Sequence, residues 1–487
     1  LNATIVNGVA DPRDLSHIGR QRPEVRERAT TFAEGTMMPK PSVRRARTRA
    51  ALLAMLAAGL VPAARAAEPV RALTAAYNAS GHDLFTAFTA APGNVVFSPY
   101  SVGTAMAMAL SGARRETERE MAGVLRQSLA PAAVDAANAR ALAILNGYDK
   151  SGEPVSCPSP AMHFNGSECE APVLANGLCA AGYQQEQRCI GPGQHPPSAA
   201  LKAANALMLL KPNGDLISAA YAARLEQDYG AQVFRGADLA TINGWVSRQT
   251  AGKIDRILDQ VDPAAPAVIL NAVYFKAAWA VPFVARATRD DDFKLTPATS
   301  VRVPTMHRIG NFQMITRPGF RAIRLPYSVS SLAMVVVLPD AVGGVDKLAV
   351  DLDAAALTAL FADMTPWQHV DLALPRFKAS FKAEIGTLFK QAGMHRAFDA
   401  QLADFSGMTG QPPVRAPLAI SGVVHRAVID VTEEGTEAAA ATAVHMMAAS
   451  APARVEPFVV DRPFLFYIAD DATGAILFEG RISDPRK

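Results

Sequence analysis

The chain has 487 residues, half of them apolar and 19% charged, with a formal net charge of +3. That balance supplies a sizeable core and excludes wholesale disorder. No uninterrupted apolar run outside the N-terminal region reaches the roughly 18 residues of a membrane helix, which excludes a multi-span membrane protein. Residues 1–66 hold eleven Lys/Arg and five Asp/Glu, so the positive excess sits there and the remainder is slightly acidic. The charge therefore gives no footing for nucleic acid.

Residues 1–36 fit no targeting pattern and read as upstream translation without structure, the true start being Met37 or Met38. Lys40, Arg44, Arg45, Arg47 and Arg49 then precede the apolar stretch Ala50–Pro62 and the small-residue pattern Ala64-Arg65-Ala66. This basic, apolar, cleavable order predicts a secretory signal peptide over 37–66. No cysteine lies near the cleavage point to carry a lipid, so no integral membrane association is expected. The portion 67–487 is expected to be a single exported domain, extracellular or periplasmic.

A helix is predicted over 72–91 and a short strand or turn over Asn94–Ser98. Ser98-Pro99 opens a second helix, since a hydroxyl caps the first turn and proline suits the first helical position. Helical patterns follow over Thr117–Leu125 and Val134–Leu145. Residues 148–200 break the register with many Gly, Pro, Ser and Asn residues and read as a surface insertion. All four cysteines, Cys157, Cys169, Cys179 and Cys189, lie within it. An even number in an exported chain predicts two disulfides, with three pairings open. The spacing lacks the CxxC pairs of a zinc knuckle, and no metal is expected.

Beyond the insertion, Ala203–Leu210 reads as a strand, with helices over Leu216–Tyr229 and Ile242–Leu258. Ala267–Phe275 is nearly all apolar, as a central strand covered on both faces would be. Met334–Leu338 is another buried strand, Phe381–Ala392 an amphipathic helix, and Val423–Thr432 a strand. Pro463–Ile468 and Ala475–Ile482 close the chain as paired core strands. The sum predicts an α+β domain.

Between two of these strands lies Glu433–Ser450, EEGTEAAAATAVHMMAAS. By propensity it is an alanine helix. Read as a strand, Thr436, Ala438, Ala440, Thr442, Val444 and Met446 share one face, and Glu437, Ala439, Ala441, Ala443, His445 and Met447 the other. Small side chains and the absence of proline would let such a segment join a sheet without losing a ladder donor.

The chain resembles the serpins over Arg71–Pro485 apart from the insertion. The likeness rests on Asn94-Val95-Val96-Phe97-Ser98-Pro99-Tyr100-Ser101, Ile242-Asn243-Gly244-Trp245-Val246 and Leu270-Asn271-Ala272-Val273-Tyr274-Phe275-Lys276, with Trp279 and Phe283 following. Leu374-Pro375-Arg376-Phe377, Ala403-Asp404-Phe405-Ser406-Gly407-Met408, His425-Arg426-Ala427, Arg462-Pro463-Phe464 and Leu477-Phe478-Glu479-Gly480-Arg481 continue it in order.

The resemblance implies a serpin fold, with helices around a large central mixed sheet, two smaller sheets and an exposed reactive-centre loop at about 433–454. It implies an irreversible suicide-substrate inhibitor of serine proteases rather than an enzyme, working as a monomer without cofactor through a covalent acyl complex. Glu433, Glu434, Gly435 and Thr436 would form the hinge. Glu437, Ala438, Ala439, Ala440, Ala441 and Thr442 would form the small-residue run of inhibitory members. Ser98, Ser101, Asn271 and His425 would line the shutter under the opening sheet, with Trp279 a buried anchor near its top.

Seventeen residues from Glu433 reach Ala449, placing the scissile bond at Ala449–Ser450, with Met447–Ala448 or Met446–Met447 the alternatives. Small or medium apolar residues there suit elastase-, subtilisin- or chymotrypsin-like proteases. The alternative function is a non-inhibitory extracellular binding or structural protein. Two departures stand out: Ala277 follows Lys276 where the family usually has glycine, and the insertion offers only Lys150 and Arg188 to a polyanion.

Overall fold

The computed structural model describes residues 68–436 and 455–487, apart from short stretches at 155, 158, 165–168, 175–178, 181–182, 186–187, 192–195, 210–212, 237 and 261–266. A first helix over 68–89 buries Val70, Leu73, Tyr77, Leu84 and Phe85, whose spacing puts them along one face. Its polar side chains tie it to the closing hairpin, where Thr74 donates to the Thr473 carbonyl at 2.7 Å and Asn78 to that of Gly474 at 2.9 Å. The second helix, Pro99–Gly112, starts where expected and is buried at every position.

Two sheets enclose the main core. One has six strands in the spatial order Phe377–Glu384, Gly422–Thr432, Gly435–Thr436, Ala267–Ala278, Ala199–Leu209 and Gln232–Arg235. The other has nine, among them the closing pair Phe464–Asp470 and Ala475–Ile482. Its 19-residue strand Thr299–Arg317 pairs with Arg289–Thr296 at one end, with Trp367–Pro375 through its middle and with Phe320–Pro326 at the other end. That long strand makes the two smaller sheets continuous.

Ala267–Ala278 explains its own apolar run. Ile269, Val273 and Phe275 enter the main core, while Val268, Leu270 and Ala272 meet Ile242, Val246, Ile254 and Ile257 on the other face. Both faces are therefore covered, and period-2 alternation vanishes.

Three elements differ from the sequence reading. The helix expected over Ile242–Leu258 is Leu239–Gln249, because Ala251 and Gly252 take positive φ and end it. The amphipathic helix expected over Phe381–Ala392 starts five residues late, and its first four residues are strand. Phe377–Glu384 pairs antiparallel with Gly422–Thr432, Phe381 opposite Ala427, and only Gly386–Gln391 is helical. Over so short a window the two periods compete, and the ladder decided. The insertion, read as irregular, contains four short strands in the order His163–Phe164, Cys169–Ala171, Arg188–Gly191 and Tyr183–Gln185.

Candidate functional site

The chain leaves Gly422–Thr432, reverses at Glu433-Glu434, and returns as the two-residue strand Gly435–Thr436. This strand is antiparallel to both neighbours. Thr436 faces Val431 on one side and Ala277 on the other, and Gly435 faces Thr432 and Ala278. Below it, Gly422–Val428 lies directly against Val268–Tyr274 as a parallel pair. The two residues are thus a wedge at one end of a parallel seam.

Several contacts seat the wedge. The Trp279 amide donates to the Glu434 carbonyl at 2.9 Å, its indole Nε1 to that of Thr432 at 3.0 Å, and the Phe283 amide to that of Glu433 at 2.8 Å. Trp279 is buried and stacks on Tyr327 with centroids 4.6 Å apart and planes 9° apart. The Tyr327 and Thr436 hydroxyls share a hydrogen bond of 2.7 Å. A Cβ on Gly435, whose φ is +152°, would lie 2.2 Å from the Ala277 carbonyl oxygen, so only glycine passes there. Ala277 has no positive φ, and alanine at that departure from the family pattern is unstrained.

Glu433 is buried beneath the turn. Burial works to raise its carboxyl, but hydrogen bonds from Arg376 (Nε at 2.7 Å) and from the Thr288 hydroxyl outweigh it and hold the group below its usual range. Arg376 belongs to the quoted Leu374-Pro375-Arg376-Phe377 match; Thr288 and Tyr327 carried no sequence signal.

Farther down the seam a polar row crosses three strands. Register places Asn205 opposite Asn271 and Asn271 opposite His425. Asn271 Nδ2 donates to Asn205 Oδ1 and to the Ser101 hydroxyl, both at 2.6 Å, and its Oδ1 lies 2.5 Å from His425 Nδ1. Because the amide nitrogen is the donor toward Asn205, Oδ1 is the acceptor and Nδ1 of the imidazole carries the proton. Burial pushes His425 down to about 3, so the ring is neutral. The Phe97 ring meets it edge-on at 5.0 Å. His425 Nε2 is buried with no partner among the described residues.

The structure therefore brings together Ser101, Asn271 and His425, and places Ser98 elsewhere. Ser98 Oγ caps the helix by accepting from the Ser101 amide at 3.1 Å and donates to the Leu477 carbonyl at 2.6 Å. Asn205 was missed, although an asparagine inside the apolar run Ala203–Leu210 was a signal in itself. Of the residues expected to form a hinge, Glu433 to Thr436 are described; Glu437, Ala438, Ala439, Ala440, Ala441 and Thr442 lie outside the described residues. So do Met447, Ala448, Ala449 and Ser450.

The insertion pairs its cysteines in sequence, Cys157 with Cys169 and Cys179 with Cys189. Its base is pinned where it rejoins the sheet: the Ala199 amide donates to the Tyr148 carbonyl, and the Lys150 amide to the Ser198 hydroxyl. Ala199 faces Ala277, which faces Thr436, so the insertion emerges one strand away from the wedge. The two disulfides are consistent with an extracellular protein. Among the described residues no helix is long and apolar enough to cross a membrane.

Comparison with known proteins places this arrangement among relatives. The sequence pattern of the family described as Serpin (serine protease inhibitor) matches residues 75–485. A serpin-like protein of Thermococcus kodakarensis is 33% identical over 417 residues, 84% of this chain and 85% of that protein. The leukocyte elastase inhibitor of Xenopus tropicalis is 32% identical over 409 residues, 81% of this chain and 94% of its own length. Among solved structures, the thermophilic serpin tengpin in its native state matches with a TM-score of 0.65 at 24% identity, covering 84% of this chain and 94% of its own. Human thyroxine-binding globulin matches with a TM-score of 0.66 at 23% identity, over 86% and 99% of the two chains. These last two establish the shared fold.

Proposed function

The chain belongs to the serpin family, and from that premise we propose that it is a single-use inhibitor of serine proteases which traps its target by inserting its own cleaved loop into the six-stranded sheet. The observation that carries the reading is the wedge: Gly435 and Thr436 are already paired with both strands of the seam that such an insertion would open.

Insertion continues this register. Each step beyond Thr436 descends one residue on Ala267–Ala278 and on Gly422–Thr432 alike, so the sixth step sets Thr442 opposite both Asn271 and His425. Thr442 shares the parity of Thr436 and would point to the same core side. Its hydroxyl then replaces the bond that crosses the seam, accepting from His425 Nδ1 and donating to Asn271 Oδ1. The intervening core-side residues, Ala438 and Ala440, are small enough to slide past Tyr327 and the sheet interior. Glu437 would face the opposite side. In place of one parallel ladder the sheet gains two antiparallel ones, which pair more favourably per residue.

The chemistry belongs to the protease. Its serine oxygen attacks the carbonyl of Ala449, an ester forms, and the peptide bond breaks to free Ser450 as a new amino terminus; Met447–Ala448 is the alternative bond. Insertion of the loop ahead of hydrolysis carries the acylated protease away and prevents turnover. An apolar residue at the cut suits elastase-, subtilisin- or chymotrypsin-type primary pockets, and the 37–66 leader suits action outside the cell. Incubation with pancreatic elastase and with subtilisin should give an SDS-stable complex and a released C-terminal fragment beginning at Ser450 or Ala448. A fragment beginning after Arg454 would overturn the site assignment, and a cleaved protein that melts no higher than the intact one would overturn the mechanism.

A further inference from the structure

Three neighbouring strands, Thr299–Arg317, Trp367–Pro375 and Glu456–Val459, turn one face to the core and the other to solvent. The core face holds Phe312, Val370, Leu372 and Phe458. On the outer face, register aligns Ile309, Asp371 and Pro457 in one row and His307, the buried Ala373 and Val459 in another, while Trp367 lies opposite Gln313. Alternation calls for polar residues there. Instead Trp367 is 61% exposed, Ile309 59% and Val459 42%, with Val455 38% exposed at the strand entrance. Single exposed apolar side chains are ordinary, but four on one side of adjoining strands form a patch. Asn311, His369 and Asp371 lie among them as polar groups, the composition of an interaction surface with aromatic content and few charges.

The chain itself indicates the occupant. Val455 is the first described residue after the loop, five residues beyond Ser450. Extended chain covers at most about 3.5 Å per residue, so the proposed scissile bond lies within about 18 Å of Val455 by any path. A protease domain of ordinary size has a radius on the order of 20 Å. An enzyme seated on that bond must come over the surroundings of Val455, and this patch adjoins it. We propose that the outer face carrying Ile309, Trp367 and Val459 is the docking surface for the body of the protease engaged on the loop, acting in addition to the loop residues in its active site. This deepens the inhibitory reading and rests on it. Trp367, large and rigid, would be the anchor.

The test is the association rate constant of the Ile309→Asp/Trp367→Ala variant with pancreatic elastase and subtilisin. Both side chains are solvent-exposed, so the variant should keep its unfolding midpoint and its stoichiometry of inhibition. The rate constant is expected to fall about tenfold with at least one of the enzymes. A rate within twofold of the unaltered protein for both overturns the docking surface while leaving the inhibitory mechanism standing. Sedimentation showing a dimer that Trp367→Ala abolishes would assign the face to a second copy and overturn it as well. Failure of the unaltered protein to form any SDS-stable complex is a separate result, which removes the inhibitory reading and this inference with it.

Discussion

Asn271 Oδ1 lies 2.5 Å from His425 Nδ1, and that hydrogen bond spans the seam between the two parallel strands that loop insertion would separate. It is also the middle of a row, since the same asparagine holds Asn205 and Ser101 through its amide nitrogen. One side chain thus closes the sheet and fastens it to the helix below.

Replacing Asn271 with leucine should therefore be costly. The substitution strands His425 Nδ1, the Asn205 oxygen and the Ser101 hydroxyl in a buried place, each a desolvated group without its partner. We expect the intact protein to lose about 2–4 kcal/mol of stability, read from its denaturant midpoint. A loss under about half a kcal/mol would show that the row is not holding the sheet.

His425 makes stability depend on pH with a definite sign. Its folded value near 3 lies below the ordinary 6.5, so the stabilisation is complete above pH 6.5. As pH falls from 6.5 toward 3, the unfolded chain takes up a proton that the folded one refuses, and stability is lost. At pH 5 the loss should be about 2 kcal/mol. The difference between the pH profiles of the unaltered protein and His425→Gln isolates this contribution; parallel profiles would contradict it.

Thr442→Val keeps the shape of the residue and removes its hydroxyl. If the register of the wedge continues, the inserted strand would then leave His425 and Asn271 without their shared partner. We expect an unchanged intact protein whose cleaved form gains about 1–3 kcal/mol less stability on insertion. More molecules should also be cleaved per protease trapped. An unchanged gain in melting temperature on cleavage would show that a different residue arrives at the row.

At Gly435 a side chain has no room against the Ala277 carbonyl. Gly435→Val should drive the wedge out of the seam, and the first readout is faster amide exchange at Thr436. Exchange at the level of the unaltered protein would mean that the strands part to admit it.

Both disulfides close short loops inside the insertion, and neither joins it to the sheets. Cys157→Ser/Cys169→Ser should loosen the four-stranded insertion, which shows few buried apolar side chains among its described residues, by about 3 kcal/mol of local stability. The main unfolding transition should stay in place. A shifted main transition would show that the insertion braces the sheet through its base at Tyr148 and Ala199.

Local rules were enough to read the Ser98-Pro99 helix start, the doubly covered strand Ala267–Ala278, the closing hairpin and the disulfide count, since each depends on neighbours a few residues away. The likeness in order of many short motifs indicated the sheet and three of the four residues of the polar row, Ser101, Asn271 and His425. Where two periods competed, as at Phe381, local pattern chose helix and the ladder to Gly422–Thr432 chose strand. The rest was decided only by strands brought together from distant parts of the chain. Asn205 lies 66 residues from Asn271, and Tyr327 lies 109 from Thr436; their bonds exist because register aligns them. So does the exposed patch, in which Ile309, Trp367 and Val459 are unremarkable one by one and become a surface through sheet pairing alone.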